Sequence, residues 1–117
     1  MGLLDRFRRV TAGRSGVSGG RGAETRYLRE WVRTHGGVEG FVEPKTTVTD
    51  VTVVLVAADG EWTRRVVGEG GARRLARDLS IPVYDVERTG YPQRMRDYDA
   101  RRRIERRRAT ERELGEP

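Results

Sequence analysis

Apolar and polar positions alternate along this chain with two periods, one typical of helices and one typical of strands. Residues 23–35 have the helical period, with an apolar stripe made of Tyr27, Leu28, Trp31 and Val32. Two glycines end this pattern, and residues 38–42 then predict a short strand. Because Glu43-Pro44 follows and proline cannot donate to a ladder, we expect that strand at an edge of its sheet.

The strongest strand pattern is the β-branched run over residues 51–57, which an alternating run over residues 62–67 follows. Asp59-Gly60 between them predicts a tight hairpin with these two loop residues, which would place Ala57 opposite Trp62. The first run is apolar on both faces, so we expect it at the centre of the sheet, with the second run nearer to solvent.

Residues 72–79 predict a helix, because Leu75 and Leu79 fall at helical spacing before Ile81-Pro82 ends the pattern. Residues 83–87 predict another strand. A strand, a helix and a strand over this length indicate a right-handed crossover. The expected fold class is α+β, a small three- or four-stranded sheet with a central Asp-Gly hairpin and helices on one face.

From residue 93 onward the pattern is helical again, but its apolar stripe stops. Met95 and Tyr98 share one face, whereas Ile104 lies about 180° from Met95 at about 100° per residue. No face beyond Asp99 can therefore pack on a core, and we expect a basic C-terminal helix that projects into solvent. The chain divides into a basic arm with a Gly/Ser linker (1–22), a compact α+β domain (23–98) and an Arg-rich helical tail (99–117).

The net charge of +6 comes from the two ends of the chain. Residues 1–22 and residues 88–117 each carry about +4, whereas residues 23–87 carry about −2. Basic charge confined to appendages favours a polyanionic partner for those appendages. We expect this partner to be RNA or the ribosome, with an acidic protein as the alternative.

The Arg-rich tail is the main candidate binding site, because guanidinium forks match phosphate oxygens and aromatic rings stack on bases. The candidate nucleic-acid-binding residues are Tyr91, Arg94, Arg96, Tyr98, Arg101, Arg102, Arg103, Arg106, Arg107 and Arg108. The alternative is a solvated helix with i,i+4 salt bridges at Asp97–Arg101, Asp99–Arg103, Arg101–Glu105 and Arg107–Glu111. The sequence has no helix-turn-helix, zinc-finger or ribonucleoprotein motif, so sequence-specific DNA recognition is not expected.

A second candidate is the glycine-rich loop between a strand and a helix, where backbone N–H groups bind anions. Its candidate anion-binding residues are Gly68, Gly70, Gly71 and Arg73. Arg73 stands where a dinucleotide fingerprint has its third glycine, and no Lys-Ser/Thr follows, so neither nucleotide motif is complete. The alternative is a flexible connector.

The composition restricts the chemistry further. The chain has no cysteine, which excludes disulfides and thiolate sites, and a single histidine, His35, does not support a His-based metal site. His35 follows a helix, where a capping role is expected. We expect no metal, no cofactor and no catalytic constellation. No apolar stretch approaches the ~20 residues of a membrane-spanning helix, and we expect a cytoplasmic protein.

The arm and the small size of the domain predict further contacts. Residues 3–10 predict about two turns of amphipathic helix. This segment would make weak contact with an anionic membrane surface or pack back on the domain. A domain of this size is marginally stable alone, so formation of a homodimer would stabilise it.

Four segments resemble a group of short, uncharacterised actinobacterial proteins: TTVT over residues 46–49, VVLVAADGEWTRR over residues 53–65, IPVYDV over residues 81–86 and GYPQRMRDY over residues 90–98. The likeness spans residues 23–103. Members often carry the label oxidoreductase, so the resemblance implies a small nucleotide-dependent oxidoreductase as a further alternative function. It implies no cofactor and no catalytic residue at any particular position.

Overall fold

The computed structural model describes residues 19–115, which form four helices and four strands. The helices are α1 (Gly19–Thr34), α2 (Gly68–Asp78), α3 (Val86–Thr89) and α4 (Gln93–Gly115). The strands are β1 (Glu39–Glu43), β2 (Thr52–Val56), β3 (Trp62–Val66) and β4 (Val83–Asp85). The amphipathic segment expected at residues 3–10, with its membrane contact, lies outside the described residues.

The four strands form one open, mixed sheet in the order β3-β2-β1-β4. β1 and β2 pair antiparallel, as do β2 and β3, whereas β4 pairs parallel with β1. α2 therefore lies in a crossover that links two parallel strands at opposite edges of the sheet. The predicted α+β class and the four-stranded sheet are confirmed.

Helices cover both faces of the sheet, because successive strand residues point to opposite faces and both sets are apolar here. One face packs against α1 and α2 in a cluster that includes Leu28, Trp31, Val53, Leu55 and Leu75. The opposite face packs against the start of α4 in a smaller cluster of Phe41, Val54, Val56 and Met95. The expectation of helices on one face therefore holds for α1 and α2 but not for the start of α4, which covers the opposite face.

β1 lies inside the sheet and not at the expected edge, because it pairs with β2 on one side and with β4 on the other. Pro44 follows Glu43 directly outside the strand, so its missing N–H removes no ladder hydrogen bond. β2 is buried along its whole length, which confirms its central position, and β3 forms one edge.

β2 and β3 are antiparallel neighbours, but the expected two-residue turn between them is not found. Val56 lies opposite Trp62, which is a shift of one residue from the expected pairing of Ala57 with Trp62. The Ala57 N–H donates to the Glu61 carbonyl at 2.8 Å, so residues 58–60 form a three-residue loop.

The backbone conformation explains the longer loop. A two-residue turn of the tight type requires positive φ at both central residues. Among the described residues only glycines have positive φ, so Asp59 does not meet this requirement. Gly60, with φ 95°, instead takes the last position of the loop, as the glycine does in three-residue hairpins.

α1 begins at Gly19, so residues 19–22 of the expected linker are helical. Glycine disfavours a helix by about 1 kcal/mol relative to alanine, but side-chain contacts hold this turn. Arg21 forms a salt bridge with Asp50 at 3.1 Å, and the Thr25 hydroxyl donates to the Gly22 carbonyl at 2.9 Å. The linker boundary at residue 22 therefore falls inside a helix.

α4 is the longest helix of the described chain, with 23 residues, and only its first turns contact the sheet. Every residue from Arg101 to Gly115 is exposed. At about 1.5 Å per residue, this exposed part is about 22 Å long. The expected projecting basic helix is therefore confirmed. Across residues 19–115, no helix is both long and apolar enough to cross a bilayer.

Candidate nucleic-acid interface

The loop between β2 and β3 lies directly against the start of α4. A Cβ added at Gly60 of this loop would clash with the backbone carbonyl oxygen of Arg94. A Cβ added at Gly60 would also lie 2.9 Å from the Cβ of Tyr98, closer than side chains pack. Glycine is required here both for the positive φ and for the close approach of α4.

Arg94 connects α4 to the sheet and the loop. Its Nε donates to the Ala57 carbonyl at 2.9 Å, and its Nη2 donates to Glu39 at 2.7 Å. Glu39 also accepts a hydrogen bond from the Tyr84 hydroxyl at 3.4 Å. Because its guanidinium is engaged by a carbonyl and a carboxylate, Arg94 has a structural role in the fold.

Two further contacts extend this attachment along α4. Trp62 Nε1 donates to Asp99 Oδ1 at 2.8 Å. Arg101 Nη2 donates to the Asp59 carbonyl at 3.0 Å. We call residues 93–101 of α4 the root. The hairpin loop and β3 fix the root at several points, so they also set the direction in which the rest of α4 leaves the domain.

Tyr91 and Tyr98, the rings expected to stack on bases, both lie at the domain. Tyr91 packs in the Phe41 cluster, with the two ring centres 6.3 Å apart, and its hydroxyl donates to Glu43. Tyr98 is half-buried in the root. Neither ring lies on the exposed part of α4.

The other candidate arginines lie on exposed helix. We call residues 102–115 of α4 the distal helix; its charged residues are Arg102, Arg103, Glu105, Arg106, Arg107, Arg108, Glu111, Arg112 and Glu113. Arg102 lies 3.5 Å from Glu105. The other five arginines form no hydrogen bond or ion pair with any residue that the structure describes. Arg112, which the sequence pattern did not single out, belongs to this group.

The expected i,i+4 salt bridges of the tail do not form between the described residues. Asp97 accepts a hydrogen bond from Gln93 at 3.0 Å, and Asp99 accepts one from Trp62. Arg96 is exposed and donates to Gln93 at 2.7 Å. The acidic residues of the root thus make local contacts in the root or bind the domain, and they leave the charge of the distal helix unbalanced.

The glycine-rich loop is the first turn of α2. Glycine is required at two of its positions, at one by the backbone conformation and at the other by close packing. Gly68 has φ 73°, and its N–H donates to the Val51 carbonyl at 2.9 Å. A Cβ added at Gly71 would lie 2.9 Å from Val67 Cβ and 3.2 Å from Thr25 Cγ2. Gly71 therefore permits the close contact between α1 and α2.

Two charged side chains, Glu69 and Arg73, lie in the first turns of α2. Glu69 already brings negative charge to the N-terminus of α2, where such charge is favourable. Arg73 is not free, because its side chain already makes an interaction within the protein. Anion binding by Gly68, Gly70, Gly71 and Arg73 stays a prediction.

His35 makes the capping contact expected at the end of α1. Its Nδ1 lies 2.8 Å from the Trp31 carbonyl oxygen, so Nδ1 carries a proton and donates it. Its ring stacks on Trp31 at 3.7 Å between centroids, and its Nε2 lies 3.3 Å from Glu61. His35 thus ties α1 to the hairpin loop. Within residues 19–115, no three His, Asp or Glu side chains are grouped so that they could hold a metal ion.

Away from the root, one ion pair joins α1 to α2, and a second lies within α2. Asp78 lies 2.9 Å from Arg77 and 3.2 Å from Arg29 of α1. The hydrogen bond from Arg77 lowers the pKa of Asp78 below its ordinary value of 3.8, and Arg29 adds to this effect. These contacts link the C-terminal end of α2 to α1 at the surface.

Comparison with protein-family models, curated proteins and solved structures finds no match to this chain. The resemblance to the actinobacterial group, with its oxidoreductase label, therefore stays a prediction.

Proposed function

We propose that the protein binds RNA, free or within the ribosome, through contacts between phosphates and the distal helix. The observation that supports this proposal is a set of six exposed arginines on a helix that packs against nothing else in the described chain. Guanidinium groups in this state are available to phosphate oxygens, which they bind with two hydrogen bonds at once.

The spacing of these arginines favours the proposal over a purely solvating role. Arg102–Arg106, Arg103–Arg107 and Arg108–Arg112 are like-charge pairs at i,i+4 spacing. Each such pair destabilises an isolated helix by about 0.2–0.5 kcal/mol. A solvating helix would gain more from alternating charges, whereas a polyanion turns the same repulsion into attraction and releases its own counterions.

The charge of the domain restricts the contact to the appendages. Residues 23–87 carry about −2, so the domain itself does not attract phosphates. Arg94 and Tyr91 are engaged in the fold, and we therefore leave them out of the proposed interface. The interface consists of the distal helix, with Arg96 and Arg101 at its border.

The proposal is tested with the full chain by fluorescence anisotropy on labelled RNA at several salt concentrations between about 50 and 300 mM. We expect the logarithm of affinity to fall linearly with the logarithm of salt concentration. Combined charge reversal at Arg102, Arg103 and Arg106 should weaken binding to all RNA sequences alike. The matched control reverses charge at Arg26, which is exposed on α1, and should change binding little.

A flat salt response would contradict the proposal. A pull-down before and after nuclease treatment gives an independent result, because partners bridged by RNA are lost when RNA is digested. An unchanged set of partners after digestion would instead favour the acidic protein.

A further inference from the structure

The distribution of arginines around the distal helix narrows the class of RNA. At about 100° per residue, the six arginines cover about 260° of the helix circumference. The stripe without arginine is about 100° wide and contains Ile104 and Glu111. Arg103 and Arg112 lie about 180° apart, on opposite sides of the helix.

Resting on the proposed function, we infer that the distal helix binds inside a groove of folded RNA, with phosphates on both of its sides. A helix that lies along a single strand or on a flat surface contacts it through one sector only. In that arrangement Arg103 and Arg112 cannot both reach phosphates. Two phosphate backbones that flank a groove can pair with both, and with the arginines between them.

The width of the helix sets a minimum width for the groove. An α-helix with its side chains is about 10–12 Å wide. The major groove of regular A-form RNA is deep and narrow. The binding site is therefore a duplex whose groove is widened by a bulge or an internal loop.

The residues that the distal helix lacks agree with this class of RNA. Residues 102–115 contain no aromatic residue, and the rings of Tyr91 and Tyr98 lie at the domain. Proteins that bind single strands gain about 1–3 kcal/mol per base from aromatic stacking, which this helix cannot supply. It also has no Asn or Gln, the side chains that read adenine edges. This composition favours recognition of the RNA through its shape and its phosphates, with the arginines as the side chains able to contact guanine edges.

The root prepares the helix for this insertion. Isolated helices shorter than about 12–15 residues are marginal in water, and the distal helix alone would be such a segment. Here it continues from a root that the hairpin loop already holds in helical form. The distal helix is therefore already folded and oriented when it enters the groove. Less conformational entropy of this helix is lost on binding.

Anisotropy with four labelled probes of equal length tests the inference: an RNA duplex with a central bulge, the same duplex without it, the unpaired strand and a DNA duplex of the same sequence. We expect the bulged RNA to bind at least tenfold more tightly than the single strand, a difference of about 1.4 kcal/mol. Equal affinity for the single strand would overturn the groove and leave RNA binding intact. Equal affinity for the regular RNA duplex would contradict a widened groove. Equal affinity for the DNA duplex would contradict the assignment to RNA. No binding to any RNA probe would contradict the proposed function as well.

Two single substitutions on opposite sides of the helix test the geometry. We expect Arg103→Gln and Arg112→Gln each to weaken binding to the bulged RNA and to lower the salt slope by about 0.9. If only one of the two substitutions weakens binding, the helix contacts RNA on one side only, and binding inside a groove is contradicted. Ile104→Ser, on the stripe without arginine, and Arg26→Gln, on α1, are controls that should leave the slope unchanged. Circular dichroism of each variant verifies that the helix is retained.

Discussion

Replacement by alanine should cost different amounts of stability at three glycines of this chain. The differences separate backbone strain from the steric contact between the hairpin loop and α4. Gly60 has φ 95° and no room beside Arg94, Gly90 has φ 67° with nothing within 4 Å, and Gly36 has neither restriction. Backbone conformations with positive φ cost a non-glycine residue about 1–3 kcal/mol, and Gly90, with ψ −177°, lies in a region that is essentially restricted to glycine. A steric conflict with a helix backbone adds to this strain at Gly60 alone.

We therefore expect Gly36→Ala to change the free energy of unfolding by less than about 0.5 kcal/mol. Gly90→Ala should lower it by about 1–3 kcal/mol, and Gly60→Ala should lower it by more than about 3 kcal/mol. Urea unfolding followed by tryptophan fluorescence measures all three. Equal losses for Gly60→Ala and Gly90→Ala would mean that the loop does not pack on α4.

Asp78 gives a second prediction at the level of one residue. Its pKa is lower in the folded protein than in the unfolded chain, mainly through Arg77 and further through Arg29. The charged form therefore stabilises the fold fully above pH 3.8, and this stabilisation is lost as the pH falls through the lower, folded pKa. We expect Asp78→Asn to lower stability slightly at neutral pH and to change nothing at pH values below the folded pKa. Urea unfolding at both pH values measures this, and an equal loss in acid would contradict the ion pair.

At the scale of elements, the contact between α1 and α2 depends on one of two adjacent glycines. A Cβ at Gly71 would conflict with Val67 and Thr25, whereas a Cβ at Gly70 would meet only the end of the Arg74 side chain, at 3.4 Å. Alanine is favoured over glycine in a helix by about 1 kcal/mol. Gly70→Ala should thus raise the melting temperature, and Gly71→Ala should lower it. A decrease for both would show that Gly70 has a role that packing does not explain.

The elements themselves were largely predictable from the sequence, because each depends on a local period. The interior strand at residues 51–57 follows from its apolar character on both faces. The position of β1 was not predictable, since β4 reaches it from about 40 residues away in the chain and Pro44 indicated an edge. The hairpin register was missed because Asp-Gly suits both a two-residue turn and the last two positions of a three-residue loop.

The candidate interface was predictable in composition but not residue by residue. The sequence placed Arg94 with the phosphate-binding arginines, because nothing local indicates that its partner is Glu39, 55 residues away. The packing of Tyr91 was not predictable for a similar reason, since its contacts with Phe41 and Glu43 are also long-range. The exposed character of residues beyond Arg101 was predictable, because the loss of an apolar stripe is a local property of the sequence.

At the scale of the whole molecule, stability and the proposed binding lie on different parts of α4. The root contributes to the core through Met95 and to the hairpin through Arg94. The distal helix contributes arginines and no packing. The described residues accordingly span 62 Å along one axis and 29 and 28 Å across it. A protein built in this way can lose its distal helix without losing its fold.

A truncation and a substitution in the root should therefore have opposite effects. Ending the chain after Arg101 should move the melting temperature by less than about 3 °C, because only exposed residues are removed. It should also remove most of the salt-dependent RNA binding, although Arg96, Arg101 and the basic arm remain. Arg94→Gln breaks hydrogen bonds to a charged group, worth about 1.5–3 kcal/mol, and should lower the melting temperature by on the order of 10 °C. Below its melting temperature, this variant should retain the salt slope of the intact protein, because Arg94 contacts no phosphate. A truncated protein that still binds RNA with the full slope, or an Arg94→Gln variant whose slope falls by about one, would show that the two roles are not separated in this way.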